Sequence, residues 1–129
     1  MKKEAILWRT DEMKACPIDA TFKIIGKRFT ALILRDMISL NETRFNQFMN
    51  SIQGLNSKTL SQRLKEMEEC GLIKRKIYQQ RPINVAYFLT EKGNAVKPIL
   101  DEMAKFSCKH SPEDVFMDGK PRSLKSLSR

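Results

Sequence analysis

The sequence predicts a mainly α-helical fold carrying one small β-hairpin, an α+β arrangement. Three observations predict it. Between residues 17 and 70 four stretches set apolar side chains at helical spacing, each closed by a glycine or a polar break. Over residues 72–78 and 83–90 the pattern becomes short, β-branched and aromatic, as strands are. From Thr90 the helical spacing returns.

Cys16-Pro17 opens the first helix. Proline suits a first turn, where its missing N–H has no partner to lose, and Asp19 favours the same end of the helix dipole. Ile18, Phe22 and Ile25 keep helical spacing until Gly26 breaks it. Residues 27–40 carry Phe29, Leu32, Ile33, Met37 and Leu40, and the nearly continuous apolar run over 29–34 predicts a helix buried on most sides. Asn41-Glu42 marks a turn, after which Thr43 is expected to cap a third helix bearing Phe45, Phe48, Met49 and Ile52.

The break Gly54-Leu55-Asn56-Ser57 offers Asn56 or Ser57 as the cap of a fourth helix. Its apolar stripe is Leu60, Leu64 and Met67, and Gly71 stops it near Cys70. In the hairpin, Gln79-Gln80-Arg81-Pro82 separates the strands, and Pro82 restricts pairing at the tip. Thr90 caps a last long helix with Val96, Ile99, Leu100, Met103 and Phe106 on its apolar face; Gly93 and Pro98 weaken it, Pro98 as a kink. Serine, proline and charge dominate from Ser111. Residues 1–111 are therefore expected to form one domain, and 112–129 a basic, mobile tail.

At 129 residues the chain is one domain's worth, and its 41% apolar content is that of a globular protein. No run approaches the ~18 apolar residues of a membrane span. Charges interrupt the apolar stretch that begins at Ala5 and ends at Trp8, so no signal-peptide core is read and a cytoplasmic location is expected. A net charge of +9 and a pI near 9.7 favour an anionic partner, nucleic acid or an acidic membrane surface. Cys16, Cys70 and Cys108 are odd in number and widely spaced, which excludes a disulfide framework. With His110 the only histidine, no metal-ligand spacing exists, and neither metal nor cofactor is expected. Catalysis is not expected either. His110 lacks an evident orienting partner, Glu68 and Glu69 diverge around their helix, and there is no glycine-rich phosphate loop.

Helix, helix, turn, helix and hairpin is the order of a winged helix-turn-helix. In the fourth helix, Ser57, Lys58, Ser61, Gln62 and Lys65 lie largely off the apolar stripe, while Glu66, Glu68 and Glu69 are held to the C-terminal half. Short polar and basic side chains near a helix N-terminus suit base edges and phosphates in a major groove. The dipole alone would prefer acids early and bases late. The alternative is an ordinary solvated face. Arg63 either reaches phosphate or pairs with the glutamates. In the hairpin Lys74 and Lys76 share one face with Tyr78, and Arg75 shares the other with Ile73 and Ile77. Arg81 stands at the tip, where a wing reaches a minor groove; the alternative is a charged edge that discourages strand pairing.

Several stretches in order carry a more specific signal: Cys16-Pro17-Ile18, Ile25-Gly26-Lys27-Arg28-Phe29-Thr30, Leu32-Ile33-Leu34-Arg35 and Arg44-Phe45-Asn46-Gln47-Phe48. They continue in Ser57-Lys58-Thr59-Leu60-Ser61-Gln62-Arg63-Leu64, Glu68-Glu69-Cys70-Gly71-Leu72-Ile73 and Tyr87-Phe88-Leu89-Thr90. Through them the chain resembles the HxlR-type winged-helix regulators of the MarR-like group over about residues 16–106. The resemblance implies a transcription factor that binds a pseudo-palindromic double-stranded operator as a homodimer, and it adds Arg44 and Thr59 to the expected DNA contacts. It implies dimerisation through the N-terminal and C-terminal helices, by Ile18, Phe22, Ile99, Leu100, Met103 and Phe106. Departures are Phe29 where tryptophan is common, the wing tip and the long tail.

Some such regulators sense oxidants or electrophiles through a cysteine just before the proline, the position of Cys16, where a helix N-terminus favours a reactive thiolate. The alternative is a small buried hydrophobe; Cys70 and Cys108 read as structural. An unknown small-molecule effector is a further implied partner; nothing marks a pocket for it beyond Trp8, Phe22 and Phe106, which are expected in core or interface. The rival function is a winged-helix protein-interaction module that does not bind DNA.

Overall fold

A computed structural model describes residues 11–40, 43–78 and 83–127. The elements are α1 (Pro17–Ile25), α2 (Thr30–Ser39), β1 (Thr43–Arg44), α3 (Phe45–Ser51), α4 (Ser57–Glu69), β2 (Ile73–Tyr78), β3 (Asn84–Leu89), α5 (Glu91–Asn94) and α6 (Lys97–His110). Two 3-10 turns, Pro112–Asp114 and Leu124–Leu127, follow. The expected turn at Asn41-Glu42, the wing tip at residues 79–82 with Arg81, and Trp8 lie outside the described residues.

One core joins the helices to the root of the wing. Ile33 and Leu34 of α2, Phe48 of α3 and Leu60 of α4 are fully buried, and Met67, Leu72, Ile73 and Val96 complete the cluster. Each such side chain contributes about 1.5–3 kcal/mol by leaving water. The stripe Leu60, Leu64 and Met67 therefore holds the inner face of α4 against α2 and α3 and leaves the opposite face outward.

The ends of α4 are set by local chemistry. Asn56, not Ser57, is the cap: its side-chain oxygen accepts from the Thr59 amide at 2.8 Å. At the far end Leu72 N–H donates to Met67 at 2.9 Å and Gly71 N–H to Glu68 at 3.1 Å. Gly71 takes φ 83°. That is a Schellman motif, with Met67 and Leu72 both in the core beneath it. The chain thus leaves α4 directly into β2.

The structure departs from the sequence expectations at four places. Thr43 does not cap a helix; it is buried in β1, opposite Tyr87. The wing is accordingly a three-stranded antiparallel sheet in the order β1-β3-β2, and α3 begins after Arg44, whose amide donates to the Gln47 side chain at 2.6 Å. Residues 27–29 form a turn ahead of α2, with Phe29 in the left-handed region at φ 73°. The expected last helix is two. Thr90 does cap α5, accepting from Gly93 N–H at 3.1 Å, but a joint at Ala95 and the buried Val96 separates it from α6. Pro98 then sits in the first turn of α6, where its missing N–H costs nothing, instead of kinking a continuous helix. Finally, the stretch from Pro112 folds back on α6. Pro112 is buried, and Arg122 N–H donates to the Cys108 carbonyl at 3.3 Å.

Candidate nucleic-acid interface

The outward face of α4 presents Ser57, Lys58, Ser61, Gln62 and Lys65, all exposed, and no acid in its first turn. Thr59 is half-buried, with its amide engaged by the Asn56 cap. Arg63 is engaged within the protein and pairs with a glutamate, as one of its two expected roles had it. Its Nε donates to the Arg28 carbonyl at 2.9 Å, its other arm meets Glu66 at 2.9 Å, and its side chain is only 17% exposed. Lys27 Nζ lies 2.7 Å from the second Glu66 oxygen. The Lys27 hydrogen bond, aided by the Arg63 charge, holds the Glu66 carboxyl below its ordinary value against the opposing effect of burial. This network ties α4 to the turn between α1 and α2. Glutamates late in α4 marked Arg63 as a pairing candidate; nothing local marked the Arg28 carbonyl.

The register of the sheet decides which wing cations share a surface with α4. Thr43, Tyr87 and Arg75 stand opposite one another across the three strands, as do Arg44, Ala86 and Lys76. Paired residues project to the same side. The first set faces the helices: Tyr87 meets the Phe48 ring edge-on at 6.4 Å, and Arg75 Nε lies 3.6 Å from Glu68 of α4. The second set is on the outer side. There Arg44 and Lys76 approach the Tyr78 ring, at 5.2 Å and 4.9 Å from its centroid. Lys74, two residues from Lys76, is exposed on that outer side as well.

Between α4 and the sheet lies a groove of about 450 Å3 lined by Ser61, Lys65, Glu68, Arg75 and Tyr87. Arg75 and Tyr87 were not among the site residues expected from sequence, where the period of two put Arg75 on a face without saying that it looked at α4. Burial pushes the Tyr87 phenol above its ordinary value, with the Arg75 charge opposing.

A second, apolar surface joins α1 and α6. Ile18, Phe22 and Phe106 are 58%, 66% and 63% exposed, and Ile99 and Met103 are exposed beside them. A groove of about 610 Å3 runs between the helices, lined by Ile18, Phe22, Gly26, Ile99 and Met103. Leu100 differs from its expected place in this set: it is half-buried and packs against the core. Cys16 is half-buried at the N-terminal cap of α1. Cys70 is half-buried with its thiol toward the Met67 carbonyl at 3.6 Å, and Cys108 is buried. Among the described residues no three His, Cys, Asp or Glu side chains group as metal ligands, and no helix is long and apolar enough to cross a membrane.

Comparison with known proteins agrees with this architecture. The HxlR-like helix-turn-helix family model matches residues 24–115. The HTH-type transcriptional regulator YdeP of Bacillus subtilis (strain 168) is 31% identical over 109 residues, 84% of each chain. The HTH-type transcriptional regulator YodB of the same organism is 34% identical over 89 residues, 68% of this chain and 79% of its own. Among solved structures, the redox regulator HypR in its reduced form superposes with a TM-score of 0.69 at 31% identity, covering 77% of this chain and 95% of that one. Reduced YodB superposes with a TM-score of 0.65 at 30% identity, covering 74% and 92%. The sheet order, the capped fourth helix and this family match together place the chain in the HxlR-like helix-turn-helix family of transcriptional regulators.

Proposed function

We propose that this transcriptional regulator acts in the cytoplasm as a homodimer and sets the N-terminal half of α4 into the major groove of a pseudo-palindromic operator. The observation that carries the reading is the outward face of α4: Ser57, Lys58, Ser61, Gln62 and Lys65 on a capped helix end free of acids. The chain's net charge of +9 adds long-range attraction to the duplex. In this reading Arg44, Lys74 and Lys76 meet phosphates from the outer side of the sheet, and Thr59 backs the first turn of α4. Arg63 orients α4 through Arg28 and Glu66. The exposed apolar face of α1 and α6 is what a second copy covers, through Ile18, Phe22, Ile99, Met103 and Phe106, with Leu100 supporting from behind.

Footprinting and binding titrations on genomic fragments at stated salt test this. Binding should weaken steeply as salt rises, by counterion release. Gln62→Ala should flatten the preference among sequences, while Lys74→Ala should weaken all duplexes alike. Salt-independent binding to a protein, with no duplex binding, would establish the rival interaction module instead.

A second reading concerns control. HypR is a redox regulator solved in its reduced and oxidised forms, and YodB is solved in a reduced form and after diamide treatment. In this second reading Cys16, at the cap of α1 and next in the chain to Pro17 of the apolar groove, couples oxidant or electrophile chemistry to the dimer face.

A further inference from the structure

The groove between α4 and the sheet holds an unusual set of groups. Ser61 and Lys65 line it from the recognition helix, Arg75 and Tyr87 from the sheet. A hydroxyl, an ammonium, a guanidinium and a phenol are the donors that proteins turn toward phosphate oxygens. Tyr87 makes no side-chain hydrogen bond to a described residue, and a phenol is protonated, hence a donor, at neutral pH. Glu68 and Glu69 line the same groove, which at first sight repels an anion.

The geometry of Glu68 resolves this. It stands 3.6 Å from Arg75 Nε, beyond the ~2.7–2.9 Å of a charge-assisted hydrogen bond. Its side chain and that of Arg75 are 39% and 49% exposed. A loose, half-exposed pair of this kind contributes little. It still favours a position of the guanidinium over the groove, between the sheet and α4. A phosphate can offer Arg75 two parallel hydrogen bonds where Glu68 offers none of normal length, so little holds Arg75 against exchange of carboxylate for phosphate.

We propose that this groove seats one phosphodiester strand of the duplex, with Arg75 and Tyr87 as phosphate contacts opposite Ser61 and Lys65, and with Glu68 as a placeholder that positions Arg75 until phosphate displaces it. The proposal rests on the DNA-binding reading and deepens it. Lys74 and Lys76 are on the other side of the sheet, so among the described β2 cations it is Arg75 that faces the same strand as α4.

The test is a double-mutant cycle on Glu68 and Arg75, read as affinity and salt slope for a 30-base-pair mixed-sequence duplex, since phosphate contacts need no particular operator. Arg75→Gln should weaken binding about tenfold and flatten the log–log salt slope by about 0.9, the loss of one phosphate contact. Arg75→Lys should keep the slope and lose part of the affinity. Glu68→Gln should tighten binding about threefold, by removing the competing carboxylate. In the double variant that gain should vanish, leaving Arg75→Gln behaviour. A Glu68→Gln gain of equal size in both backgrounds would make Glu68 a mere repulsive charge and overturn the placeholder role. An unchanged salt slope in Arg75→Gln would overturn the seat, while wild-type binding stood. Absence of any wild-type duplex binding at 50 mM salt would remove the DNA reading itself. Thermal unfolding of each variant separates lost contact from lost fold.

Discussion

Gly93 packs α5 against the root of the wing with no room for a Cβ, and replacing it with alanine should unfold the protein early. A Cβ built on Gly93 lies 2.1 Å from the Leu72 carbonyl oxygen and 2.9 Å from Leu89 Cδ2. The first contact is roughly 1 Å or more closer than non-bonded atoms sit, and the obstacle is backbone, which cannot swing aside like a side-chain end. That same carbonyl accepts the Thr90 amide at 3.0 Å, where β3 hands over to α5. Overpacking costs about 1–3 kcal/mol, a strained or lost hydrogen bond about 1 kcal/mol more, and alanine's helix propensity returns up to about 1 kcal/mol. With backbone as the obstacle the upper half of the overpacking range applies, and the net destabilisation is about 2–3 kcal/mol. For a domain of this size that lowers Tm by roughly 10 °C, measured by calorimetry or by circular dichroism on heating. Gly71→Ala is the matched control. It forces a side chain into the left-handed region at φ 83° but meets nothing nearer than Lys92 Cδ at 3.9 Å, so it should cost only about 1–2 kcal/mol. A Gly93→Ala protein as stable as wild type, or more stable than Gly71→Ala, would refute the packing argument.

Three further outcomes follow from the same geometry. Asn56→Ala removes the cap of α4 and should cost about 1 kcal/mol. Because it frays the turn holding Ser57 and Lys58, duplex affinity should drop several-fold while Asn56→Asp retains it; equal affinity of the alanine and aspartate variants would count against a DNA role for that turn. Glu66, whose carboxyl is held low chiefly by the Lys27 hydrogen bond, should add stability that is complete above about pH 5 and is lost as pH falls through its lowered folded-state pKa. The stability gap between wild type and Glu66→Gln should therefore be constant near neutrality and narrow in acid, as denaturant titrations at stepped pH would reveal; a gap that persists unchanged to pH 2 contradicts it. Alkylation of the native protein should modify Cys16 first and buried Cys108 last. If Cys16 labels no faster than Cys70, whose thiol points to the Met67 carbonyl, oxidant sensing through Cys16 is abandoned.

Much of this protein was legible along the chain. The stripe Leu60, Leu64 and Met67, the cap at Asn56-Ser57, the stop at Gly71, the strand pair and the Thr90 cap are all written in neighbouring residues, because helical spacing, caps and turns are local chemistry. So was the outward face of α4, which is simply the complement of its buried stripe. What tertiary structure alone decided was who meets whom. Thr43 and Arg44 became a strand because β3 runs beside them, and two residues have no period to read. Arg63 turned inward because the Arg28 carbonyl, 35 residues away in the chain, stands within its reach. The stretch after Pro112 packed on α6 through Cys108 and Arg122, although its composition reads as loose chain. The wing's alternation was plain, yet only the register of the third strand and the Arg75–Glu68 contact show which side looks at α4. Spacing along a chain determines which side chains share a face; the packing of that face against distant residues determines what the face can bind.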